Sequence, residues 1–257
     1  MNRSTITLIA SLLLAPAAWG QTTLFSQAMV PNGGTLRPSQ LWVDPSGQND
    51  LDSDAIAWED FTFAESSLVT HVEWWGQALP PLGFEVSFYN QDPNTIASQP
   101  DIFRPGAGPI AQDTYATPTV EGVSGGMFHF SIDLTQPIIF QGNTRYFVSV
   151  IALTPVPYAT WGWAQGAGAG STFYWNRGAH MFFSMPENRA LLLSGSPAPV
   201  CPGDVNLDGS TTISDFNILA NNFGTTVVPG TNGDLTGDGE VNIADFNILA
   251  GDFGCGA

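Results

Sequence analysis

Two stretches thirty residues apart constrain this 257-residue chain more than anything else in it. GDVNLDGSTTISDFNILANNFG, from Gly203 to Gly224, returns from Gly233 to Gly254 as GDLTGDGEVNIADFNILAGDFG, identical at 13 of 22 positions. Each copy opens with oxygen-bearing side chains at alternate positions around a glycine, the pattern by which one short loop gathers about six to eight oxygens around a hard cation such as Ca²⁺. With Asp204 as loop position 1, Asn206 and Asp208 follow at 3 and 5, Ser210 at 7 (through its carbonyl), Thr212 at 9 and Asp215 at 12. The second series is Asp234, Thr236, Asp238, Glu240, Asn242 and Asp245. Gly209 and Gly239 occupy position 6, where the turn disfavours a Cβ. The alternative, two Asp/Gly-rich turns that hold no metal, leaves the preserved ligand spacing unexplained. Two calcium ions are expected, with the second bound less tightly, because the Thr236 hydroxyl stands where a carboxylate or amide is usual.

DFNILA follows each loop and FG ends each copy, so Phe216, Leu219, Ala220 and Phe223 are expected on one apolar stripe of a short helix stopped by Gly224, as Gly254 stops the second. An ordinary EF-hand also has a helix entering the loop, but the prolines of SPAPVCPG ahead of Asp204 leave no room for one. Each copy is a half hand.

The duplicated D-x-[NT]-x-D-G loop, the Asp at position 12, the single exiting helix and the short linker together resemble a type I dockerin domain, over about a fifth of the chain. The resemblance implies a calcium-folded, all-α module that tethers a secreted protein to a cohesin-like partner, often in polysaccharide-degrading assemblies. Cohesin contacts in that family lie at loop positions 10 and 11 and further along the helix, where Lys or Arg is common in cellulosomal members. Here those places read Ile213, Ser214, Ala220 and Asn221, then Ile243, Ala244, Ala250 and Gly251, and the segment contains no base.

The chain opens MNRSTITLIASLLLAPAAWGQ, with Arg3 ahead of an apolar run and small residues before Gln21, which reads as a secretory signal peptide over residues 1–20. A retained membrane anchor is the alternative, but the run is shorter than the ~20 apolar residues of a spanning helix. Without Arg3, five arginines face 23 acids, a formal charge of −18, and the chain has no lysine. Nucleic acid and anionic lipid are therefore poor partners. Eight of the acids fall after Val200 with no base beside them, so this segment repels itself until cations arrive and is expected to fold on metal binding. Cys201 and Cys255 bracket the duplicated unit. In a secreted chain they are expected to pair, stabilising by about 4 kcal/mol in the chain-entropy model; two free thiols are the alternative.

From Gln21 to Ser194 the pattern has period 2, punctuated by Gly, Pro, Asn and Asp, with no convincing helical window. GFEVSFYN sets Phe84, Val86 and Phe88 against Glu85, Ser87 and Tyr89, and MFHFSIDL sets Phe128, Phe130 and Ile132 against His129, Ser131 and Asp133, so one face should be core and the other wet. Eight or more short strands in one such region predict an antiparallel β-sandwich, with the jelly roll as one form of it. A linker at 195–200, stiffened by Pro197 and Pro199, should lead to the calcium-binding domain at 201–257.

Catalytic signatures are sparse. GVSGG at 122–126 matches a nucleophile-elbow string, but a strand rather than a helix follows, so it reads as a turn. GAGAG at 166–170 lacks the lysine of a phosphate loop. His71, His129 and His180 are too scattered for a local zinc motif. Glu59, Glu73, Glu85 and Asp133 could supply a glycosidase pair, but acids on wet strand faces are usually solvating. Trp75, Trp161, Trp163 and Trp175 invite sugar stacking and equally suit core packing. Trp74 and Trp75 must point to opposite faces of a strand, which makes His71, Glu73 and Trp75 a candidate ligand face.

Three readings follow. The first is a secreted, non-catalytic β-sandwich module whose dockerin-like domain docks it, with calcium, into extracellular or cell-surface assemblies linked to polysaccharide binding or catabolism. The others are a glycoside hydrolase carrying the same docking unit and a purely structural surface protein.

Overall fold

The computed structural model describes residues 22–46, 54–198 and 200–256, so the expected signal peptide and Pro199 lie outside the described residues. The chain is mainly β, as its period-2 runs require. In order come β1 (Thr22–Gln27), β2 (Arg37–Pro38), β3 (Gln40–Trp42), β4 (Ala55–Thr62), β5 (Ser67–Gly76), β6 (Phe84–Asn90), β7 (Ala111–Tyr115) and β8 (Thr119–Gly122). They continue with β9 (Phe128–Phe140), β10 (Arg145–Thr154), β11 (Gly162–Trp163), β12 (Gln165–Gly166), β13 (Thr172–Asn176), β14 (Met181–Met185), β15 (Asn188–Arg189) and β16 (Leu191–Pro197). Two helices, α1 (Ile213–Asn222) and α2 (Ile243–Asp252), close the chain.

One seven-stranded sheet runs β1-β16-β5-β11-β2, with β9 also paired to β5 and β8 to β9; the other runs β14-β13-β4-β3-β10-β6-β7. All their pairings are antiparallel except that of β10 with β3. The sheets share one core in which large aromatics meet edge to face: Trp74 of β5 lies 5.0 Å from Phe84 of β6, and Phe61 of β4 lies 5.1 Å from Phe140 of β9. Trp161 and Trp163 are buried here too, so both are packing residues.

The second sheet departs from the expected wet face. Tyr89 is buried where Ile102, from the chain between β6 and β7, packs on a second aromatic cluster of Trp58, Tyr89, Phe147 and Phe173, and Ser87 on the same side of β6 is buried as well. β16 also runs past the expected boundary at 194, since Gly195, Ser196 and Pro197 pair with Val69, Leu68 and Ser67. Pro197 therefore belongs to the sheet and not to the linker.

In the C-terminal unit Leu219, Val241 and Leu249 form a small core, with Phe216 and Phe246 edge to face at 6.3 Å. The buried side of α1 carries Asp215 and Leu219, while Ala220 and Phe223 are exposed. The stripe is thus rotated from the expected one, because the helix must also bury the loop's closing carboxylate. Among the described residues no helix enters either loop, as the prolines ahead of Asp204 foretell for the first.

Candidate functional site

The local chemistry of each loop explains its shape. In loop 1 Asp204 Oδ2 accepts from Gly209 N (2.7 Å) and Oδ1 from Asp208 N (3.1 Å), so the first carboxylate organises the turn around itself. Asn206 Oδ1 accepts from Asp208 N and Asp208 Oδ1 from Ser210 N, each residue two positions on, which sets these oxygens on alternate positions of the loop. Asp215 Oδ1 accepts from Val205 N and Asn206 N, and Oδ2 from Thr212 N, so one carboxylate both closes the loop and caps α1.

Loop 2 repeats this. Asp234 Oδ2 accepts from Gly239 N (2.8 Å), Asp238 Oδ1 from Glu240 N (2.8 Å), and Asp245 from Leu235 N, Thr236 N and Asn242 N. Gly209 and Gly239 have φ of +91° and +87°, the left-handed region that favours glycine. The copies differ at position 3, where the Thr236 hydroxyl donates to Asp234 Oδ1 (3.1 Å) while the Asn206 amide donates to Asp208 Oδ2 (2.9 Å).

Asp215 and Asp245 are fully buried and Asp234 nearly so. Burial opposes ionisation of Asp215 and Asp245, but the backbone N–H groups around each outweigh it and hold both carboxyls below the usual range. Burial wins at Asp204, whose carboxyl is raised. Buried carboxylates beside exposed acids, with no base in the segment, form a hard-oxygen donor set that fits Ca²⁺. Asp204, Asn206, Asp208 and Asp215 with the Ser210 carbonyl would hold one ion, and Asp234, Thr236, Asp238 and Asp245 with the Glu240 carbonyl the other. Each ion would supply the positive charge that gathers its loop.

A pseudo-twofold relates the halves. Gly224 N donates to Val241 O (2.7 Å) as Gly254 N does to Thr211 O (2.9 Å), and Cys201 and Cys255 are joined with Cα atoms 5.7 Å apart.

The candidate ligand face lies on the first sheet. Thr70 is the extra residue of a β-bulge, since Ser194 pairs with His71 but Gly195 with Val69. The bulge sends Val69, Val72 and Trp74 into the core and turns His71, Glu73 and Trp75 outward together. Two residues not grouped with them in the sequence join from β9. His71 Nδ1 lies 2.7 Å from Asp133 Oδ1, Glu73 Oε2 lies 2.7 Å from His129 Nε2, and Trp75 stacks flat on the His129 ring at 4.6 Å. Outward alternation in MFHFSIDL was the available signal; the register pairing it with β5 was not. His180, by contrast, lies apart from these in an exposed turn after β13.

The other acids are dispersed. Glu59 is sealed between the sheets, where Oε2 accepts from Arg189 N (2.8 Å), and burial pushes its carboxyl up to about 8. Glu85 accepts from Ser87 Oγ on the outer side of β6. An open cavity of about 200 Å³ beside β7 and β9 has Asp113 as the one carboxylate among its described lining residues.

Fold and loops together define a duplicated half-hand calcium unit appended to a two-sheet β domain. Residues 202–253 match the family model described as the dockerin type I domain. No curated protein matches the chain. The C-terminal unit is thus similar to type I dockerin domains, which supports calcium binding and docking to a protein partner for assembly. Among the described residues no helix is long and apolar enough to cross a membrane.

Proposed function

We propose that this protein is a secreted, non-catalytic β-sandwich module, residues 21–197, held in an extracellular or cell-surface assembly by its calcium-loaded C-terminal unit. The observation that carries the reading is the pair of oxygen-lined loops, related by a pseudo-twofold and matched to the dockerin model. Calcium would gather each loop and so fix the helices on which a partner is read. The docking face is apolar: Ile213 and Ile243 are 60% and 62% exposed at equivalent positions, with Phe223 and Phe253 also exposed. With no base among them, recognition rests on apolar contact, and the partner is a cohesin-like protein whose contact surface is apolar and not acidic.

The His71, Glu73, Trp75 face supports a role in polysaccharide binding, since a flat aromatic pair beside carboxylates offers a sugar both a stacking surface and hydroxyl acceptors. The hydrolase reading is weaker. It needs two carboxylates about 5–9 Å apart across a cleft. Glu73 and Asp133 do meet around His71, but on the outer face of the first sheet and each tied to a histidine, whereas Glu59 is sealed in the core and the cavity beside β7 offers Asp113 alone among its described residues.

The test is capture from the native secretome with the full chain as bait, in calcium and in chelator. Capture of a discrete partner that chelator abolishes supports the proposal; capture of nothing in either condition refutes docking.

A further inference from the structure

The two calcium loops are closed by different means. Loop 2 is flanked by the segment that links α1 to it: Val241 N donates to Thr225 O (3.0 Å) and Val227 N to Gly239 O (2.9 Å). The equivalent wall of loop 1 is the segment after α2, where Thr211 N donates to Cys255 O (2.9 Å) and Ser210 Oγ to Gly256 O (3.1 Å). The first wall is anchored by the chain at both ends. The second is anchored by α2 and, among the described residues, by the bond from Cys255 to Cys201, three positions ahead of the first ligand of loop 1.

Asp252 adds a tie that the first copy lacks. Its Oδ2 accepts from Gly203 N (2.7 Å) and Thr211 Oγ1 (2.6 Å), while its counterpart Asn222 turns its amide to Ile218 O (2.8 Å). Gly256 passes so close that a Cβ there would sit 2.1 Å from Gly209 O, the turn glycine of loop 1.

We infer that the Cys201–Cys255 bond, with Asp252 and Gly256, is the positioning element of the first calcium loop alone. It holds the outer wall against which Gly209, Ser210 and Thr211 present their oxygens, so breaking it weakens calcium at loop 1 and spares loop 2. With the bond intact, Asn206 against Thr236 ranks loop 1 as the tighter site; without it that lead narrows. This rests on the calcium reading above. Outer-shell partners of a metal site are typically worth about 10–100-fold in affinity.

Calorimetric titration of the full chain with Ca²⁺ tests this, with one loop silenced at a time by Asp204→Ala or Asp234→Ala. In the Asp234→Ala background, Cys201→Ser with Cys255→Ser should raise the Kd of loop 1 about tenfold or more. In the Asp204→Ala background, the same pair should move the Kd of loop 2 by less than about threefold. Equal weakening of both loops, or none at loop 1, overturns the inference. If the cysteine variant loses its helices, Gly256→Ala keeps the bond and presses on Gly209 O; it should weaken loop 1 selectively, and an unchanged loop 1 overturns the inference as well. No calcium binding by the unsubstituted chain removes the metal reading, and this one with it, whereas unselective weakening removes only this one.

Discussion

Replacing Glu59 by Gln should remove a pH dependence of stability that the β domain otherwise carries across the mildly acidic to neutral range. Glu59 is fully buried, and burial lifts its carboxyl from 4.5 to about 8; the Arg189 N–H works against this, and the charge of Asp60 adds to it. The side chains of Gln27 and Thr172 also favour the ionised form, but Glu59 Oε1 has no hydrogen-bond partner among the described residues, so burial wins. The unfolded chain releases the Glu59 proton near 4.5, and the folded protein keeps it to about 8. Over that window the folded state binds one proton more, so the contribution is complete below 4.5 and falls as pH rises, by about 1.4 kcal/mol per pH unit. From pH 5 to 8 the loss is about 3 kcal/mol or slightly more, since the slope flattens at both ends of the window. Guanidinium unfolding followed by tryptophan fluorescence, at pH 5, 6, 7 and 8 in constant excess calcium, measures it. The wild-type free energy should fall more steeply with pH than that of Glu59→Gln, and parallel profiles would refute the assignment of a proton to this carboxyl.

Other substitutions probe the remaining sites. Ile213→Asp with Ile243→Asp should abolish partner capture while leaving calcium stoichiometry intact, and capture by the native surface should persist at high salt because no charge pair carries it. On a glycan array, Trp75→Ala should lose about fivefold or more in signal, since a stacked ring contributes about 1–3 kcal/mol; unchanged binding would detach sugar recognition from this face. Leu207 has φ of +62° and is exposed, whereas its counterpart is Gly237 at +75°. Leu207→Asn should therefore favour loop 1 by up to about 1 kcal/mol, read as a severalfold lower calcium Kd.

What could be read from the sequence followed the distance over which each feature is determined. The calcium loops are local: Asp204 to Asp215 lie within twelve positions, so ligand spacing and turn glycines stand together in one string. Strand existence was equally local, and Phe84, Val86 and Phe88 do face the core. Features that depend on register were hidden. Nothing near Thr70 announces the bulge that turns His71 outward, because it is defined against Ser194 and Gly195, more than a hundred residues away. His129 and Asp133 join His71 and Glu73 only through the pairing of β9 with β5. Tyr89 looks wet by alternation and is covered by a later segment, which a period-2 pattern cannot foresee. The α1 stripe was misplaced because a polar residue, Asp215, takes a buried position that hydrophobic periodicity assigns to apolar side chains.

Hydrogen exchange of the full chain, read peptide by peptide in excess calcium and in EDTA, tests the metal-organised C-terminal unit most directly. Amides of residues 213–222 and 243–252 should be protected in calcium and exchange rapidly in EDTA, while those of β5 and β10 exchange alike in both. Equal protection of the two helices in both conditions would contradict the account.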